Sequence, residues 1–298
     1  MDVIDPHHHF WRMTDIGFLR DHRNDGFVGN IEPIRHDYGP ADLAADAETL
    51  GITLRKSVAI QAGYDVGPSD EETAWLQSVA DDPASNGFPH GLVGHADFSD
   101  PSVDALLAAH ARIANVRGIR QTLCRSDNPL HNHAPRDYLL DSTWRQNIGL
   151  LEPLNLSLDF QLFPHQMAAG VEIVREHPNL QFILTHTGIP ESYATDYFDT
   201  WESGVQLLAA EPNVAVKISG ASTFARDWSV ETIRPLVLRT IELFGVDRCM
   251  FASNFPVAKL AANWKQQWTA YDEITRDFDE SDRRKLFHDN AARFYRLA

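Results

Sequence analysis

Cysteine is nearly absent from this chain: only Cys124 and Cys249 occur among 298 residues. A disulfide framework is therefore excluded as the source of stability, and a cysteine-rich metal centre with it. Basic residues are also scarce, 26 against 42 acidic ones, for a formal net charge of −16. Nucleic acids and anionic membranes are recognised through a basic face, so neither is an expected partner. A local Arg or Lys can still meet an anionic small molecule. No uninterrupted apolar stretch reaches spanning length, and Met1-Asp2 leads into no secretory apolar region, so a cytoplasmic setting is expected. No Gly-rich phosphate turn of the G-x-G-x-x-G or P-loop type follows an early strand, which argues against a nucleotide-binding open sheet. Long Gly/Ser linkers and low-complexity tracts are missing as well.

What is present is a soluble-type composition, 43% hydrophobic and 23% charged, with enough chain for a large core. Short, almost continuously apolar runs alternate with amphipathic stretches, the pattern of repeated strand–helix units around a parallel sheet covered on both faces. Eight strands are predicted: Val3 to Asp5, Lys56 to Gln61, Leu92 to Ala96, Val116 to Gln121, Leu156 to Gln161, Phe182 to His186, Val214 to Ile218 and Met250 to Ala252. Helices are predicted between them at Ala41 to Leu50, Glu71 to Ala80, Val103 to Ala114, Gln166 to Glu176 and Thr232 to Phe244. Asp100-Pro101 reads as a helix start and His177-Pro178 as a helix stop. The economical architecture is one α/β domain over residues 1–298, a single (β/α)8 TIM-type barrel. The connection Phe10 to Tyr38 is long and carries Trp11, Asp21, His22, Arg23, His36 and Tyr38, as a substrate-covering loop would.

At the N-terminus stands Asp5-Pro6-His7-His8-His9. Side chains two apart on a strand point the same way, so His7 and His9 converge while His8 faces away. A tag would not run straight into Phe10-Trp11 and the fold. In a barrel the chemistry gathers at the C-terminal strand ends. Those positions carry His7, His9, Gln61, His95, Asp97, Arg120, Gln121, Gln161, His186, Lys217, Ser219, Ser253 and Asn254. One buried histidine is commonplace, but four at strand ends make a site. His131 and His133 repeat the i, i+2 spacing in a Pro/Asn-rich loop, where metal binding is not the favoured reading. Arg125 and Asp127 are specificity groups or a surface ion pair, and Lys217 contacts substrate or compensates Asp97. Trp75, Trp144, Trp201, Trp228, Trp264 and Trp268 read as helix-to-barrel packing.

These segments resemble the amidohydrolase superfamily, in particular the amidohydrolase-2 branch with its sugar lactonases, sulfomuconolactone hydrolases and pyrone-dicarboxylate lactonases. The matching stretches are Asp5 to Trp11, Arg117-Gly118-Ile119-Arg120, Leu156 to Gln161 with Phe163-Pro164-His165-Gln166, Thr185-His186-Thr187-Gly188-Ile189-Pro190, Val216 to Gly220 and Met250 to Pro256. The resemblance implies a catalytic mouth lined by His7, His9 and His186. Arg120, His95, Gln161 and Lys217 are then the substrate-binding candidates. It also implies either one divalent metal, Zn or Mn, on His7, His9 and His186, or a metal-independent reaction. The histidine common on strand five of metal-rich members is replaced by Gln161, with His165 a weaker substitute. The implied substrate is a small anionic or polyhydroxylated molecule, and the implied reaction is water attack on the carbonyl of a lactone. A decarboxylase or hydratase on the same barrel and a non-catalytic small-anion binder are the alternatives.

One departure matters most. The family's strand eight ends in an Asp that takes the proton of the attacking water, and here the segment reads Ser253-Asn254-Phe255-Pro256. An amide is no proton acceptor near neutral pH. Either His9, His186 or Asp97 serves as base, or an Asp→Asn change has disabled the site, or the lineage has left hydrolysis. The neighbouring Phe255 also departs from the family's usual Trp, which favours a natural subgroup.

Overall fold

The computed structural model describes residues 1–21, 29–48, 51–128, 131–189, 195–221 and 228–297. Eight parallel strands pair in sequence order: β1 Asp2–His8, β2 Thr53–Ile60, β3 Gly91–His95, β4 Val116–Thr122, β5 Ser157–Gln161, β6 Phe182–Leu184, β7 Val214–Ile218 and β8 Cys249–Phe251. The sequential order removes the open-sheet alternative, which needs a reversal of strand order. The sheet closes beyond β8, where His8 bridges Phe255 in parallel, Asn254 N donates to His7 O at 2.7 Å and His9 N donates to Phe255 O at 2.7 Å. Closure itself therefore brings Asn254 beside the two convergent histidines.

Strand positions follow the prediction to within a few residues, and the exceptions are informative. β1 runs on to His8, because a register shift between Asp5 and His8 absorbs Pro6, which has no N–H to give the ladder. β6 stops at Leu184 rather than His186: His186 and Thr187 take left-handed φ of 54° and 52° and turn the chain out of the sheet. Gly188 continues that turn at φ 73°, where an added Cβ would lie 2.0 Å from Met167 Cε. A side chain at this position would collide with the helix Met167–Glu176.

Helices Pro40–Ala47, Ser69–Asp81, Val103–Ala111, Met167–Glu176, Thr195–Ala209, Val230–Phe244 and Trp264–Ile274 cover the outside of the barrel. The predicted end of the first, Leu50, lies outside the described residues. Asp100 does not cap the helix beginning at Val103. Its carboxylate instead accepts from Ser102 N and Oγ and closes the preceding turn, leaving Ser102 as the residue before the helix. His177 ends its helix as expected. Trp144, Trp201, Trp264 and Trp268 are buried among helices and strands, in keeping with the packing role expected of them. Among the described residues no helix is long and apolar enough to cross a membrane.

Inside the barrel, alternation sets layers. Ile4, Val58, Ile60, Val93, Ile183, Ala215 and Met250 point inward at the lower end. There the C-terminal stretch folds under them with Ala291, Phe294, Tyr295 and Leu297. The inward positions further along the strands are polar, and these form the mouth.

Candidate active site

The parity of each strand decides who reaches the mouth. On β5, Asp159 and Gln161 share the inward face, and on β7 and just beyond it Lys217 and Ser219 do the same. All four are buried. Arg120 from β4 and His95 from β3 face inward beside them, and His7 and His9 enter from β1. His8 faces the other way, with Nε2 2.8 Å from Ser57 Oγ.

Three imidazoles meet as the sequence predicts. The His7 ring centroid lies 5.2 Å from that of His9 and 4.5 Å from that of His186. Each ring has its Nδ1 engaged: His9 with Ile60 O at 2.9 Å, His186 with Ser219 Oγ at 2.8 Å, and His7 with Lys217 Nζ at 3.4 Å. His7 Nε2 is buried without a hydrogen-bond partner. His9 and His186 keep 5% and 4% of their surface exposed and His7 none, so the first two front the opening and His7 forms its floor. Asn254 closes the group with φ 60°, a left-handed conformation that Asn tolerates better than most residues. Beneath it Asp5 accepts from Ser253 Oγ and, at 2.9 Å, from Ser253 N. His186 and Asn254 both hold left-handed backbone, a cost retained most often at functional positions.

Burial pushes the imidazoles toward the neutral form, and the Arg120 charge adds to this. His7 and His186 lie well below their ordinary pKa and His9 falls to about 3. Arg120 is itself buried, which lowers its pKa to about 10, so it remains a cation at neutral pH. Its Nη2 donates to Gln61 O at 2.6 Å while Nε has no partner. Next to it opens a cleft of ≈ 290 Å³ lined by Gln61, Tyr64, His95, Gln121, His133 and Tyr138 among others. Burial lowers the His95 pKa to about 4. Gln161 Nε2 lies 3.5 Å from His133 Nδ1, which ties the second histidine pair to the rim of this cleft.

Several expectations need correction. Lys217 does not compensate Asp97: its ammonium lies 2.6 Å from Asp159 Oδ2, wholly buried below His7. Asp97 accepts from Ser99 and Gln121 and from Tyr138 OH, and Ser99 and Gln121 contribute to holding its pKa low despite partial burial. Its oxygens are thus engaged by three neighbouring side chains. Arg125 Nη1 donates to the carbonyls of Ala134 and Pro135 rather than pairing with Asp127. His165 turns outward onto Arg125 O and does not join the imidazoles. In the long first connection Trp11 pairs with Tyr38 across its base, while His22 and Arg23 lie outside the described residues.

Sequence reading also missed residues. Tyr295 OH bonds both oxygens of Asp159, at 3.0 and 2.8 Å, under the Lys217 ammonium. Glu72, buried on the helix Ser69–Asp81, accepts from Ala62 N at 2.6 Å and holds the loop after β2. The one available signal was Asp159, a carboxylate on the inward parity of an apolar strand.

A divalent ion does not suit this donor set. Among the described residues no three His, Cys, Asp or Glu side chains are grouped so as to hold a metal. The strand-eight position offers an amide in place of a carboxylate, and the Lys217 ammonium lies 3.4 Å from His7 Nδ1.

A parallel eight-stranded barrel with two strand-one histidines and a strand-six histidine at its mouth defines an amidohydrolase-type enzyme. Residues 4–297 match the Amidohydrolase family, and the chain belongs to it. Uncharacterized protein y4mH of Sinorhizobium fredii is 41% identical over 303 residues, covering 99% of this chain and 98% of that one. An L-fucono-1,5-lactonase of Burkholderia ambifaria is 28% identical over 301 residues, covering 99% and 95%. The crystal structure of an amidohydrolase from Burkholderia multivorans with bound zinc superposes with a TM-score of 0.83 at 25% identity, covering 100% of both chains.

Proposed function

We propose that this enzyme opens the ring of a sugar-acid lactone by water attack at the ring carbonyl. The observation that carries the reading is the composition of the mouth. Neutral imidazoles and amides crowd around one buried guanidinium, Arg120. A polyhydroxylated neutral ring matches such a surface of mixed donors and acceptors. An aromatic dicarboxylate carries two charges and would leave one of them facing neutral groups. The similarity to the Burkholderia ambifaria lactonase supports the same class.

The chain's own groups supply each step. Arg120 and the cleft amides orient the ring. His9 offers Nε2, because Nδ1–H is committed to Ile60 O, and takes a proton from the attacking water. The carbonyl oxygen gains negative charge as the new C–O bond forms, and a donor on the floor of the site stabilises it. Collapse of the tetrahedral species breaks the bond to the ring oxygen, which receives the proton from His9. Asn254 positions His9 and the water and moves no proton.

A panel of five- and six-membered aldonolactones, a pyrone dicarboxylate and a hydroxybenzoate, each followed by acid or carbon dioxide release, tests the assignment. Turnover of aldonolactones with acid release is expected. Carbon dioxide release, or binding without turnover across the lactones, would move the protein to one of the two alternatives. Dialysis against a chelator should leave the rate unchanged; a loss restored by Zn²⁺ or Mn²⁺ would assign a metal to the site.

A further inference from the structure

We infer that Lys217, braced from below by Asp159 and Tyr295, fixes His7 as the Nε2–H tautomer and so makes it the hydrogen-bond donor that faces the reacting carbonyl. What the donor acts on rests on the lactone reading; the tautomer does not.

An ammonium has three donors and no acceptor. Lys217 directs one at Asp159 Oδ2 at 2.6 Å and one at His7 Nδ1 at 3.4 Å, and its Nζ stands 4.9 Å from the centroid of the Tyr295 ring. A ring nitrogen that faces a donor must present its lone pair. The single proton of a neutral imidazole then sits on the opposite nitrogen, Nε2. His9 is set the other way, since Ile60 O can only accept, so its proton is on Nδ1 and its lone pair on Nε2. Two rings 5.2 Å apart are thereby given opposite roles by their partners, one a donor and one an acceptor. Hydrolysis of a lactone needs this division, an acceptor for the proton of water and a donor for the carbonyl oxygen.

The unpaired His7 Nε2 fits the same account. A buried N–H without a partner costs free energy and is retained where a ligand completes it. A metal ligand would have to give up that proton and move it to Nδ1, against the ammonium. Lys217 is a positioning residue here: it touches His7 and no reacting atom. Asp159 is held by Tyr295 through both oxygens, so the ammonium has little freedom to leave.

The test reads the tautomer directly. Protein as purified, with ¹⁵N-labelled histidine, is examined by long-range ¹H–¹⁵N correlation, and the His7 signals are assigned by their loss in His7→Gln. The native protein should show His7 protonated at Nε2 and bare at Nδ1, and Lys217→Arg, another pure donor, should preserve this. The double variant Asp159→Asn/Lys217→Met removes the two charges of the buried pair together. It should show a mixture of tautomers, with kcat lowered about ten- to a hundredfold and KM little changed. A native His7 protonated at Nδ1 or carrying a metal at Nε2 would overturn the inference. So would an unchanged tautomer in the double variant. Should that variant not fold, the native spectrum decides. Failure of the lactone panel leaves the spectrum unaltered, so the two readings fail separately.

Discussion

The lower and upper halves of the barrel interior are built from the same strands and treat polar groups in opposite ways. Below, β5 and β7 contribute Asp159 and Lys217, and every charge meets a partner: Lys217 with Asp159, and Asp159 with Tyr295. Facing the mouth, Arg120, which stands opposite Asp159 in the β4–β5 register, keeps an unpaired Nε and His7 an unpaired Nε2. Both layers are buried, so solvent does not account for the difference. Breaking a buried ion pair costs about 3–5 kcal/mol, which is why the lower layer is complete. The upper layer leaves atoms unsatisfied where a ligand can satisfy them. The lower layer thus holds the upper one in place, and the upper one does chemistry.

The largest effect expected from breaking this contrast is in the upper layer. Replacing both strand-one histidines, His7→Gln/His9→Gln, should lower lactone turnover by about a thousandfold or more, since a base and a carbonyl donor are lost together. The circular dichroism spectrum should stay native, because the apolar floor and the Lys217–Asp159–Tyr295 layer remain. Full activity in a folded double variant would remove the assignment.

Next in size is Arg120. Arg120→Met should raise KM roughly 10- to 100-fold, the value of about 1.5–3 kcal/mol for a charge-assisted hydrogen bond. Arg120→Lys should recover little of it, as a single ammonium cannot reproduce the planar fork that reaches Gln61 O and the ligand at once. Equal losses for sugar lactones and for a lactone lacking hydroxyls would show that Arg120 does not read the sugar.

How legible the two layers were differs as well. The upper layer could be read because strand parity and strand ends are local properties: His7 and His9 two apart, Arg120 two residues before the end of β4, and Gln161 at the end of β5. Apolar runs located all eight strands for the same reason. The lower layer depends on contacts between distant parts of the chain. Nothing near Tyr295 announces that the C-terminus folds beneath the barrel, 136 residues from Asp159, so the sequence leaves Lys217 between substrate contact and Asp97. His186 shows the limit from the other side. It was placed as the end of a strand, whereas its left-handed backbone lifts it out of the sheet and toward His7.

Glu72 offers a smaller test, on the wall rather than the floor. Its carboxyl is buried with Oε2 unpaired, and burial raises its pKa to about 7. In the unfolded chain the group ionises near 4.5, so between roughly pH 4.5 and 7 the unfolded state releases a proton that the folded state keeps. Stability therefore falls as pH rises through that window, by about 3 kcal/mol from this group, and levels off above it. Chemical denaturation at pH 5 and pH 8 should show the loss in the native protein and a smaller one in Glu72→Gln, whose carbonyl still accepts from Ala62 N. Parallel slopes in the two proteins would show that Glu72 is ionised throughout.

The smallest effect expected is at Asn254, and it bears on how the upper layer divides its labour. Asn254→Asp restores the residue type usual in the family at a backbone conformation that Asp tolerates. If the natural site simply lacked a base, the carboxylate would supply one, worth about a hundred- to ten-thousandfold. Here the proton acceptor is already assigned to His9, which Asn254 contacts and whose neutrality the buried Arg120 helps to maintain. A new negative charge at that contact favours imidazolium, raises the His9 pKa and draws on the Arg120 charge that should orient the ligand. The two consequences oppose any gain from a second base. The rate on the preferred lactone at neutral pH should therefore change by no more than about threefold, and downward. A rise of a hundredfold or more would identify Asn254 as a lesion in an aspartate-dependent site and return His9 to a supporting role.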